Sequence, residues 1–122
     1  HLNTEVKDLH DYPADEYVIA TGSKPRTLKV PGIERALEAC EYLDGKEVGQ
    51  KVAVIGGGLT GCEIAYELFL EGKEPIIVEM LDDLVRQKGV CMANSQYLRD
   101  FFAWKKVPVY LETKLKEVRE NE

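Results

Sequence analysis

From Lys51 onward, apolar positions fall into runs of two alternating kinds. Val52 to Ile55 is β-branched and almost wholly apolar, the mark of a strand buried on both faces. From Leu59 the period changes. Ala65, Leu68 and Phe69 share a helical face with Gly61, while Glu63, Glu67 and Glu71 form an i, i+4 stripe toward water. Gly72 supplies the stop. Pro75 to Glu79 predicts a second buried strand. Asn94 is placed to cap a further helix on which Tyr97, Leu98, Phe101 and Phe102 cluster, ending near Lys105 and Lys106. Val107 to Leu111 predicts a third strand, and Pro108, which cannot donate to a ladder, places it at an edge. Thr113 to Arg119 alternates weakly, as the start of another strand would.

Ahead of this unit the pattern is sparser. Tyr17 to Ala20 reads as a short strand closed by Thr21 and Gly22, with turn signals at Pro25 and Pro31-Gly32. Glu34 to Leu43 carries Leu37, Cys40 and Leu43 at helical spacing, and the polar stretch 44–50 reads as a linker. Strand, helix, strand, helix, strand over 51–111 predicts an α/β, Rossmann-like three-layer fold with right-handed crossovers and a parallel sheet. In that order the third strand is an edge strand, as Pro108 requires. A dinucleotide fold places a fourth strand beside the first. Tyr17 to Gly22 is available and apolar, so the expected order is 107–111, 75–79, 52–55, 17–21; the alternative is that residues 1–50 fold away from the sheet or swap between two chains.

Composition narrows the function. At 122 residues, 44% hydrophobic and 31% charged, the chain is a soluble globular domain, or a domain with part of another. A formal net charge of -6 argues against nucleic acid or an anionic membrane as partner. No apolar run approaches the ~20 residues of a spanning helix. The first residues carry no apolar signal-peptide core, and the absence of an initiating Met points to a start partway through a longer protein. Scattered cysteines at 40, 62 and 91 form no CxxC and no metal-ligand spacing, which suits a reducing, cytoplasmic setting.

The stretch KVAVIGGGLTGCE, residues 51–63, carries the chemistry. Gly56-x-Gly58-x-x-Gly61 lies between a strand and a helix, and an acid, Glu79, ends the next strand 18 residues past Gly61. In that context the pattern points to a dinucleotide site. Gly56 makes the tight turn, Gly58 lets a pyrophosphate approach the backbone, and Gly61 lets helix pack on strand. Gly57, Leu59 and Thr60 complete the turn, whose N–H groups and helix dipole hold phosphates. The alternative is a tight turn with nothing bound. Glu79 is placed to accept from a ribose 2′-OH; its plain alternative is a solvated strand end. Met80, Leu81, Asp82 and Asp83 beside it offer no cation for a 2′-phosphate, which favours NADH over NADPH. Glu63, close to the proposed phosphates, has two readings: a favourable helix-dipole contact or a functional carboxylate. Cys62 and Cys40 read as core thiols, Cys91 has no basic neighbour closer than Lys88, and His1 and His10 read as surface residues.

EYVIATGSKP, then VPGIE, then KVAVIGGGLTGCEIA resembles flavoproteins of the pyridine nucleotide–disulfide reductase type. IIVEML and GVCMANSQYLRDFFAWKKVPVYLET are similar more particularly to 2-enoate reductases, which belong with 2,4-dienoyl-CoA reductases among the old yellow enzyme-like NADH:flavin oxidoreductases. The resemblance runs from about Asn3 to the end. It implies that 1–50 is the tail of an FAD-binding domain, with Ala20, Thr21 and Gly22 at its cofactor side, and that 51–122 is an NAD(H)-binding domain incomplete at its C-terminus. Glu63 then matches a glutamate lying toward nicotinamide and flavin. The implied parent passes electrons from NADH through FAD and a [4Fe–4S] cluster to FMN in a barrel domain, which reduces an activated C=C bond. This chain's own partners would be NAD(H) and the remaining FAD and FMN-barrel domains, with homo-oligomerisation open. The absence of a redox CxxC argues against disulfide-reductase activity. Two rivals stand beside this reading: an FAD-binding half that keeps the fold, and, of another class, a non-catalytic nucleotide-responsive module whose binding controls a partner.

Overall fold

The computed structural model describes residues 1–86 and 88–120. Three strands, β1 (Lys51–Ile55), β2 (Glu74–Val78) and β3 (Val109–Tyr110), form one parallel sheet in the order β1-β2-β3. Val54 pairs with Ile77 and Ile77 with Val109, so those three side chains share a face. That face carries the core. It packs against Cys62 and Ala65 of α2 (Leu59–Leu70) and against Leu98, Phe101 and Phe102 of α3 (Met92–Lys105). Two parallel crossovers that step the same way along the sheet, each of the usual hand, put both helices on one face, and residues of both helices join the one core cluster. The Rossmann-like α/β fold expected from the pattern is the fold observed.

Local chemistry explains the helix ends. At the C-terminus of α2, Gly72 takes φ 80°. The Gly72 N–H then donates to Phe69 O and the Lys73 N–H to Leu68 O, both at 3.0 Å, which satisfies two carbonyls the helix would otherwise strand. Glu63, Glu67 and Glu71 are exposed, as their stripe predicts. Between the helices, the Phe101 ring meets Tyr66 edge-on at 4.6 Å and Phe69 at 5.3 Å between centroids. α3 begins at Met92 with Cys91 as its cap, so Asn94 sits inside the helix and does not cap it. Tyr97 leaves the core for the flank, where its hydroxyl lies 3.1 Å from that of Tyr66.

Several expectations fail, each for a local reason. β1 is not buried on both faces: Ala53 and Ile55 are exposed, because β1 is an edge strand and both long helices cover the opposite face. Residues 17–21 do not pair with it. Val18 and Ile19 are 92% and 76% exposed, and among the described residues the segment's hydrogen-bond partners are local, the Tyr17 hydroxyl donating to Leu9 O and Tyr12 O. Three short apolar side chains bury too little to offset ordering the long connection from 22 to 51. The proposed 34–43 helix splits into a 3₁₀ turn at Ile33–Arg35 and a short α1 (Ala39–Leu43), on which Cys40 is exposed and not in the core. Residues 113–119 form no strand; the Val118 N–H instead donates to Pro31 O at 2.9 Å. Among the described residues, no helix is long and apolar enough to cross a membrane.

Candidate functional site

The strand-to-helix turn after β1 is built as its glycines require. Gly56 adopts φ 111°, a conformation that side chains disfavour, while its N–H still continues the ladder to Val78 O at 2.8 Å. A Cβ on Gly61 would lie 2.0 Å from Gly56 O, so only glycine lets α2 start this close to the turn. Gly58 caps α2 without a side chain. Among the described residues, nothing accepts from the backbone N–H groups of Gly58, Thr60 or Gly61. Those donors and the dipole of a twelve-residue helix make the turn a place for an anion.

Gly57, expected among the cofactor-binding residues, has both backbone polar groups engaged within the protein. Its N–H donates to Glu79 Oε2, and its carbonyl accepts from the Val85 N–H at 2.7 Å and from Cys62 Sγ at 3.4 Å. Gly57 is therefore the buried keystone of the turn. Burial pushes the Cys62 thiol up to about 12, against the lowering effect of Arg99, and makes it an inert core group as expected.

Glu79 is only 7% exposed and is no solvated strand end. Its second oxygen accepts from the Leu81 N–H at 2.8 Å. A carboxylate has about four acceptor positions, so these two bonds leave room for ribose hydroxyls while fixing where the carboxylate sits. The site residues 56–61 and Glu79 are thus brought together, with Met80 exposed beside them. Ala20, Thr21 and Gly22 are not: they lie in the exposed N-terminal segment, with no hydrogen bond to the turn. Glu63 is the fifth residue of α2, past the first turn, where a dipole contact has largely faded. It is exposed and lines a groove of about 370 Å³ with Leu43, Thr60, Ile64, Tyr66, Glu67 and Leu70. A larger cavity of about 560 Å³ lies near the other end of α2, beside Tyr42, Val48 and Lys73, and shares no residue with the glycine turn.

Two cations that meet the loop after Glu79 escaped the local reading. Arg86 pairs with Asp82 at 2.7 Å, and Arg99 reaches from α3 to Asp83 at 3.0 Å. The Arg99 guanidinium holds the Asp83 carboxyl below the usual range. No sequence period links positions 83 and 99; only the packing of α3 does.

Known proteins resemble this chain over most of its length. The family described as pyridine nucleotide-disulphide oxidoreductase matches residues 1–122. The chain belongs to that family. It is 43% identical over 105 residues to a cinnamate reductase of Clostridium sporogenes, covering 84% of this chain and 16% of that protein. It is 42% identical over 77 residues to an NADH oxidase of Thermoanaerobacter brockii, covering 57% of this chain and 12% of the relative. Among solved structures, a complex of 2-naphthoyl-CoA reductase with 2-naphthoyl-CoA superposes with a TM-score of 0.71 at 25% identity, over 82% of this chain and 15% of that one. The chain is thus an oxidoreductase-family domain of the flavoprotein type, in a family that binds FAD and NAD(P)H, and it spans well under a quarter of these larger proteins.

Proposed function

We propose that this chain is the NADH-binding portion of a flavin-dependent oxidoreductase of the 2-enoate reductase kind. Residues 51–122 would belong to the NAD(H)-binding domain and residues 1–50 to the FAD-binding domain. The observation that carries the reading is the juxtaposition of an uncapped helix start at Gly58 with the buried carboxylate of Glu79. The N–H groups of Gly58, Thr60 and Gly61 face the pyrophosphate, and Glu79 and Met80 flank the adenine-side ribose. Leu59 lies in the first turn of α2 beside the phosphates. Glu63, on the exposed side of α2, lies toward the nicotinamide. NADH, when bound, supplies a hydride for FAD; the chain's own residues bind and orient it. FAD would meet Ala20, Thr21 and Gly22, while FMN and a [4Fe–4S] cluster would sit in other domains of the parent, the covalent partners of this one. The cinnamate reductase relative supports an activated C=C bond as the final acceptor.

The preference for NADH rests on Glu79 and on its surroundings. Both arginines attached to the neighbouring loop, Arg86 and Arg99, are already paired with acids, so neither is free to meet a 2′-phosphate. Titration of the purified chain is expected to show tighter binding of NADH than of NADPH. Glu79→Arg is expected to reverse the order, by removing a hydroxyl acceptor and adding a cation. Equal or tighter NADPH binding by the wild type would overturn the assignment.

A further inference from the structure

We propose that Arg99 is a positioning residue for the glycine turn, acting through the loop from Asp83 to Val85; the proposal rests on the nucleotide reading above. The guanidinium makes two bonds in different directions. Nε donates to Asp83 Oδ1 at 3.0 Å, and Nη2 donates to Leu84 O. One planar fork thus holds a side chain and a backbone carbonyl of adjacent residues, which a lysine ammonium on a flexible stem reproduces poorly.

The next residue along the loop, Val85, is strained. It has φ 51°, a region that a β-branched side chain adopts only when its surroundings impose it. In that conformation its N–H reaches Gly57 O at 2.7 Å. The Leu84 side chain meanwhile fills the space beside Gly57, where a Cβ would come within 2.5 Å of Leu84 Cδ2. Glu79, at the other end of the same loop, takes the Gly57 N–H. Both polar groups of Gly57 are therefore held from the segment 79–85, and one side chain of α3 ties that segment down next to the strained residue. Gly57 immediately precedes the N–H groups that would meet the phosphates. A loop that relaxes at Val85 lets the turn shift, and the donors shift with it.

The test uses Arg99→Met, which keeps the length and removes both bonds, and Arg99→Lys, which keeps the charge. Amide hydrogen exchange on the ligand-free chain is read at Gly57 and Val85 against Ile77 in the sheet, alongside a titration with NADH. Expected in Arg99→Met is faster exchange at Gly57 and Val85 with Ile77 unchanged, and NADH binding weakened about tenfold, the factor that losing one charge-assisted hydrogen bond corresponds to. Arg99→Lys is expected to fall between. If Arg99→Met does not fold, Asp83→Asn, which weakens only one of the two anchors, is read the same way with smaller changes expected. Exchange that rises equally at Ile77, or not at all, overturns the proposal, since packing alone would then set the turn. Faster local exchange with unchanged NADH affinity overturns it as well. A wild type that binds no NADH refutes the nucleotide reading instead, and the exchange comparison by itself then decides whether Arg99 sets the turn.

Discussion

Gly58 and Gly61 lie in the same turn, yet their side-chain-free surfaces serve different ends. At Gly61 the limiting contact is internal: a methyl would collide with Gly56 O, and backbone yields poorly. Gly61→Ala is therefore expected to cost stability, on the order of 1–3 kcal/mol as overpacking does, read as a lower urea midpoint with an unchanged slope. Gly58, by contrast, starts α2 with φ -69°, a value open to any residue, so its own backbone does not demand glycine. Gly58→Val is expected to keep the fold and lose the nucleotide, by filling the space that the proposed function gives to the pyrophosphate. A folded Gly58→Val chain with unchanged NADH affinity would place the phosphates elsewhere. Motif spacing alone names both glycines but does not rank them; the Cβ contact at Gly61 and the backbone angles at Gly58 do. Gly57 shows the same limit. A glycine inside a phosphate turn invites a ligand contact, but its bonds to Glu79, Val85 and Cys62 are all internal and come from residues 5 to 28 positions away.

Among the elements, α3 shows how two faces of one helix differ in consequence. Phe102 is 1% exposed in the core beside Ile77 and Val107, whereas Trp104, two residues on, is 73% exposed with Lys105 Nζ 3.5 Å from its ring centroid. Phe102→Ala is expected to cost about 3–5 kcal/mol, as buried aromatic truncations do. Trp104→Ala is expected to stay within about 0.5 kcal/mol. Chemical denaturation followed by circular dichroism measures both, and equal costs would mean that Trp104 is packed after all. The helical period of this stretch was legible: Leu98, Phe101 and Phe102 are all buried. Its start was not, because Asn94 has the right chemistry for a cap but the chain turns helical two residues earlier, at Met92. Strand identity was legible too, since β-branched runs at 52–55 and 75–79 and the Pro108 constraint all act over a few residues. Burial of β1 on its second face was not legible, for it depends on what covers an edge strand rather than on the strand's own sequence.

At the scale of the molecule, the sheet explains why the site is where it is. A parallel sheet brings the carboxyl ends of β1 and β2 side by side, so the glycine turn and Glu79 meet although 18 residues separate Gly61 from Glu79. Those expectations followed from topology and held. Pairing of 17–21 with β1 was a guess about a long connection, and the exposure of Val18 and Ile19 shows that similarity of strand type does not fix a partner. The central claim is that NAD(H) binds at the turn formed by Gly56–Gly61 with Glu79 beside it. The most direct measurement is an amide proton–nitrogen correlation spectrum of the 122-residue chain titrated with NADH. Saturable shifts are expected at Gly58, Thr60, Gly61 and the residues after Glu79, with Trp104 and Lys105 on the far part of α3 unmoved. Saturable shifts that spare the glycine turn, or a spectrum that NADH leaves unchanged throughout, would contradict it.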